Sequence, residues 1–140
     1  MITIRVFGDP APQGSKNVYN GRVVESNAKR LKPWRAAIAE ATHNLLSEEH
    51  SLLLGPVRVE IDFYLPRPAS IKLSKRALPI VPPDVDKLAR AVLDGLGQGL
   101  NGKSGDGMLW GDDSQVTELV ANKFYADDTE PGATIRVIAL

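Results

Sequence analysis

Between residues 57 and 65 the chain alternates strictly: Val57, Val59, Ile61, Phe63 and Leu65 fall on one side, and Arg58, Glu60, Asp62 and Tyr64 on the other. That period of two predicts a strand with one buried and one wet face. Ile2, Ile4 and Val6 alternate with Thr3 and Arg5 in the same way, predicting a first strand that ends at Gly8-Asp9-Pro10. Val18-Tyr19 and Arg22-Val23-Val24 flank Asn20-Gly21, a dipeptide that supplies the positive φ values of a type I′ turn, so a small hairpin is expected. Further strands are expected over 116–125 and 134–139, separated by a turn at 127–132.

Two stretches carry the helical period instead. One is expected to begin near Pro33, a residue suited to a first helical position, with Trp34, Ile38, Ala41 and Leu45 as its apolar face and an end before Gly55-Pro56. The other runs from about Asp84 to Leu96. There Val85, Leu88, Val92 and Leu96 form a docking face, and Asp86, Arg90 and Asp94 form a polar stripe. Together these elements predict an α+β fold: a mixed, largely antiparallel four-stranded sheet with two helices on one face and a small N-terminal hairpin. No repeat or second-domain linker interrupts residues 1–140, so a single domain is expected.

Composition narrows the function classes. The chain has 140 residues, 43% of them hydrophobic, and no cysteine, which removes disulfides, zinc–thiolate sites and thiol chemistry. No segment approaches the roughly 18 consecutive apolar residues of a membrane span. The N-terminus alternates like a strand rather than reading as a signal peptide, so a cytoplasmic location is expected. The net charge is zero, yet the charges are segregated. Residues 1–35 hold seven Lys/Arg against Asp9 and Glu25, the segment 66–83 holds Arg67, Lys72, Lys75 and Arg76 with no acid, and residues 84–113 hold six acids against three bases. An acidic centre flanked by basic segments suits metal ions at a floor and a phosphate backbone at a rim; a merely solvated charge run is the plainer alternative.

The densest chemistry lies between Pro82 and Gln115. Pro82-Pro83 disfavours helix immediately before Asp84, so Pro83-Asp84-Val85-Asp86 is expected to be extended, with Asp84 and Asp86 pointing the same way. Asp113 is the natural third carboxylate, delivered from the start of the next strand. The plainer reading makes Asp84 an N-cap, Asp86 and Arg90 an i,i+4 pair, and Asp112-Asp113 a solvated turn.

The segments Pro83-Asp84-Val85-Asp86-Lys87-Leu88-Ala89-Arg90-Ala91-Val92-Leu93-Asp94 and Trp110-Gly111-Asp112-Asp113-Ser114-Gln115-Val116 resemble the RusA family of Holliday junction resolvases, structure-specific DNA endonucleases often encoded by phages or prophages. Pro12-Gln13-Gly14-Ser15-Lys16, Leu31-Lys32-Pro33-Trp34-Arg35 and Lys123-Phe124-Tyr125 carry weaker parts of the likeness, which spans nearly the whole chain. The resemblance implies a metal-binding catalytic triad at Asp84, Asp86 and Asp113, with Asp112 as a neighbour, Arg90 standing where a lysine is found in the best-known member, and Lys87 where asparagine is frequent. It implies magnesium, with manganese as a substitute, as cofactor, and a four-way DNA junction as the partner of a homodimer. Lys16 and Lys87 are the candidate DNA-backbone contacts.

Two rival readings remain at this point. The first is a module that grips branched DNA without cutting it. Separately, Gly97-Gln98-Gly99-Leu100-Asn101-Gly102-Lys103-Ser104 matches a phosphate-binding-loop pattern, but it follows a helix rather than a buried strand and runs into Gly105-Asp106-Gly107, so no nucleotide cofactor is expected. His43 and His50 are seven apart, two helical turns, too far to share an ion. For Trp34 core packing is favoured over base stacking; for Trp110 both stay open.

Overall fold

The computed structural model describes residues 1–14, 16–25, 28–46, 52–97 and 109–140, with the backbone alone at 16–19 and 22–25. The elements in chain order are β1 (Ile2–Phe7), β2 (Lys16–Tyr19), β3 (Arg22–Glu25), α1 (Ala28–Leu45), β4 (Val57–Leu65), α2 (Val85–Gly97), β5 (Val116–Tyr125) and β6 (Gly132–Ala139). A 3-10 turn, Asp113–Gln115, leads into β5. The glycine-rich stretch from 98 to 108, which holds all of the loop motif except Gly97, lies outside the described residues, as do Ser15 and His50. No described helix is long and apolar enough to cross a membrane.

The four-stranded sheet has the order β1-β6-β4-β5, antiparallel except for the parallel pair β4/β5, and β2/β3 form the separate hairpin. The hairpin turns on Asn20 (φ 49°) and Gly21 (φ 76°), as the Asn-Gly dipeptide requires. The fold is therefore the expected α+β arrangement, and its sheet is mixed. The parallel pairing follows from α2, which carries the chain from the end of β4 back to the start of β5.

The alternation in β4 becomes the core. Val57, Val59, Ile61 and Phe63 are fully buried, and the same face continues through Ile4 and Val6 of β1 and Ala133, Ile135 and Val137 of β6. One rung reads Ile4–Ile135–Ile61–Ala121 and the next reads Val6–Ala133–Phe63–Lys123. Each large aliphatic or aromatic side chain so buried contributes about 1.5–3 kcal/mol. The opposite face is mixed: Tyr64, Val120 and Phe124 add apolar surface, and its charges pair, Arg58 with Glu60 (2.9 Å) and Glu118 (2.8 Å), Arg136 with Asp62 (3.2 Å).

Helix α1 departs from expectation at its start. It begins at Ala28, with Pro33 inside it, rather than near Pro33. The missing Pro33 amide forfeits one helical hydrogen bond, but Leu31 and Trp34 on either side are buried and hold the first turns against the core. The buried stripe is Leu31, Trp34, Ile38 and Thr42, so the helix is rotated from the predicted face and Leu45 is exposed. Thr42 is accommodated because its hydroxyl donates to the Ile38 carbonyl at 2.7 Å.

Helix α2 buries Leu88, Val92 and Leu96 as predicted, together with Ala89, Ala91 and Gly95, whereas Val85, expected on the same face, is only half-buried. Gly95 meets Ile38 of α1: a methyl group built there would lie 3.0 Å from Ile38 Cγ2 and 3.1 Å from its Cβ. The small residue lets the two helices approach and sets the position of the polar face of α2.

Candidate active site

The start of α2 is held from both sides. The Leu88 amide donates to the Asp84 carbonyl (3.0 Å), so Asp84 stands at the N-cap position and Asp86 in the first turn; the extended Asp84-Val85-Asp86 segment expected from Pro82-Pro83 is not formed, because the helix already begins at Val85. Upstream, the Lys123 ammonium donates to the carbonyls of Val81 (3.0 Å) and Pro83 (2.9 Å). Asp84 and Asp86 are both exposed. Lys87 Nζ lies 3.9 Å from Asp84 Oδ2 in a largely solvated pair, a weak contact. Arg90, one turn further along, is exposed, and no ion pair joins it to Asp86 among the described residues.

The other end of α2 meets Asp113. Its carboxylate accepts from Trp110 Nε1 at 3.0 Å, and a methyl group at Gly97 would lie 3.2 Å from Asp113 Oδ1. Trp110 is 1% exposed, so its role is core packing plus this one donated bond. Partial burial pushes the Asp113 carboxyl above its usual range; the Trp110 bond opposes that, and the charges of Asp94 and Asp112 reinforce it. Asp112 behaves as a capping residue. Its carboxylate accepts from the Ser114 amide (2.8 Å), which holds its pKa below the usual range, and the Gln115 side chain closes the capping box. Gln115 also donates to the carbonyls of Leu53 (2.7 Å) and Gly55 (3.0 Å), tying the turn to the chain ahead of β4.

Between these ends the segment Pro12-Gln13-Gly14 crosses the polar face of α2. The Gln13 amide donates to the Lys87 carbonyl (3.0 Å), the Gln13 side chain donates to Asp94 Oδ2, and Gln13 Oε1 accepts from Arg35 Nη1 (3.0 Å). Arg35 itself comes within 4.0 Å of Asp94. Gly14 adopts φ +120° and sits beside Arg90, whose Nη1 would be 3.4 Å from a methyl group there. Gln13, Arg35 and Asp94 were absent from the candidate residues read from sequence. Their signals were present: Asp94 continues the Asp86–Arg90 stripe, and Gln13 and Arg35 lie in the weaker motif pieces.

The predicted carboxylates are thus divided between the two ends of one helix. At 1.5 Å per residue, Asp86 and Gly97 are separated by about 16 Å along α2. Among the described residues, no group of three or more Asp, Glu or His is close enough to hold one ion. The donor chemistry nevertheless fits a hard divalent cation: magnesium binds through one or two carboxylates and takes its remaining ligands from water and phosphate. The raised affinity of Asp113 for a proton comes chiefly from burial, with the charges of Asp94 and Asp112 adding to it. Lys16 lies on β2, and its side chain is outside the described residues.

A two-layer α+β fold with carboxylates and an arginine along one exposed helix face has the makings of a phosphodiester-cleaving enzyme. The family model for Endodeoxyribonuclease RusA matches residues 8–138, and the chain belongs to that family of endodeoxyribonucleases. It is also similar to the uncharacterized protein YqaN of Bacillus subtilis (strain 168), 27% identical over 152 residues that cover 99% of this chain and 97% of the other.

Proposed function

We propose that the protein resolves four-way (Holliday) junctions in DNA recombination and repair, cutting as a magnesium-dependent homodimer in the cytoplasm. The observation that carries this reading is the order Asp84-x-Asp86 followed by Asp113 in a chain of the RusA family, on a helix whose exposed face also bears Arg90.

In this reading Asp84 and Asp86 hold the cation at the start of α2; Asp113, about 16 Å away along that helix, does not share the ion within one chain, and Asp112 orders the turn that presents it. Bound there, magnesium, or manganese in its place, supplies an activated water and relief of charge on the phosphate. Arg90 places its guanidinium against the non-bridging oxygens, whose negative charge grows as the attacking oxygen approaches. The guanidinium keeps the charge of a lysine but brings a planar, multidentate donor, so it can contact two phosphate oxygens at once. Lys87 and Lys16 contact the DNA backbone on either side.

Two chains are needed because each carries one set of these residues, and resolution requires two incisions related by the two-fold symmetry of the junction. Incubating the protein with a synthetic four-way junction beside a linear duplex, with magnesium and with chelator, tests the proposal. Cutting confined to the junction and abolished by chelator is expected. Binding without cutting under all conditions would favour a DNA-gripping module.

A further inference from the structure

Lys123 occupies a position that packing alone would give to an apolar residue. It shares a rung with Phe63, Ala133 and Val6, all buried on the helix-covered face of the sheet. Ala121, two residues before it in β5, packs against the same core. A lysine here costs desolvation, and it brings a positive charge towards the N-terminal end of α2, where the helix dipole already favours negative charge.

The ammonium is instead spent on two backbone carbonyls, Val81 at 3.0 Å and Pro83 at 2.9 Å. The Pro83 carbonyl belongs to the peptide unit whose nitrogen is that of Asp84, so fixing this oxygen fixes the plane from which Asp84 departs. On the far side, the bond from the Leu88 amide fixes the Asp84 carbonyl. The Asp84 backbone is therefore held at both of its peptide planes, one by β5 and one by α2. Charge-assisted bonds of this kind are the stronger class of hydrogen bond.

We propose that Lys123 is a positioning residue for the Asp84-Val85-Asp86 segment: acting through the Val81 and Pro83 carbonyls, it orders both carboxylates for cation binding without touching cation or DNA itself. This inference rests on the reading of Asp84 and Asp86 as cation-holding residues.

The test compares wild type, Lys123→Met, Lys123→Arg and a core variant of similar thermal stability, Ile135→Val. Manganese titration by calorimetry, amide exchange at Val85–Leu88 in cation-free protein, and separate kcat and KM on a four-way junction are measured. Lys123→Met is expected to weaken manganese binding about 10-fold or more, the range found for residues that support a metal ligand indirectly. It should also speed exchange at Val85–Leu88 and lower kcat with little change in KM. Lys123→Arg should recover part of each loss, and Ile135→Val should show none of them. Lys123→Gln, a milder truncation, carries the same comparison if the methionine variant does not fold.

Unchanged affinity and exchange in Lys123→Met, or equal losses in Ile135→Val, would overturn the inference alone. Asp84→Asn and Asp86→Asn run in parallel separate the two failures: full cutting by both would overturn the underlying reading, and this inference with it.

Discussion

The buried indole of Trp110 donates its N–H to Asp113 Oδ1 at 3.0 Å, so a core residue aims the carboxylate that stands at the far end of α2. Trp110→Phe keeps an aromatic ring but removes the donor. The bond favours the ionised carboxylate, and without it the Asp113 pKa should rise further. The titration of the Asp113 carboxyl, followed by NMR, is expected to move to higher pH, with a stability loss of about 1–3 kcal/mol from the smaller ring and lost bond.

Asp113 also predicts a pH dependence of stability. Its folded-state pKa is raised, chiefly by burial, so the fold is favoured while the carboxyl is protonated, and that contribution is lost as pH rises through the raised value. At neutral pH the ionised form therefore costs stability. Asp113→Asn, whose amide oxygen can still accept from Trp110, should raise the cation-free melting temperature at pH 7. The gain should shrink as pH is lowered through the acid range, as read by thermal melts across pH.

Asp84→Asn and Asp86→Asn change charge with little change in size, at two exposed positions. Each is expected to lower the rate of junction cutting by about 100-fold or more while binding to the junction persists. Gel-shift and cleavage assays on the same DNA separate the two effects, and near-native cutting by either variant would remove that residue from the site.

Gly95→Ala tests the packing that positions α2. The added methyl would press on Ile38 Cγ2 and Cβ at 3.0 and 3.1 Å. Helix propensity favours alanine by about 1 kcal/mol, whereas overpacking of this kind costs about 1–3 kcal/mol. A net loss in denaturant midpoint is expected, and a gain would mean that the helices separate without strain.

What could be read from sequence was what local periodicity encodes. The bounds of β4 follow from its alternation, and the hairpin turn from Asn20-Gly21. The start of α1 was misplaced because Pro33 carries a strong positional preference that the burial of Leu31 and Trp34 overrides. In the site, Asp84 and Asp86 were visible as a local pattern. The contact of Gln13 with Asp94 joins residues 81 apart, and Lys123 reaches Pro83 across 40. Polar contacts of that kind leave no periodic trace in either partner, so only the fold reveals them.

Junction resolution is tested most directly by mapping incisions on an end-labelled four-way junction, with magnesium and with chelator. Magnesium-dependent nicks at symmetric positions on two opposed strands are expected, made by a protein that sediments as a dimer. Binding should weaken with salt, the logarithm of affinity falling roughly linearly with the logarithm of salt concentration. A stable monomer that makes single unpaired nicks, and cuts linear duplex equally well, would contradict it.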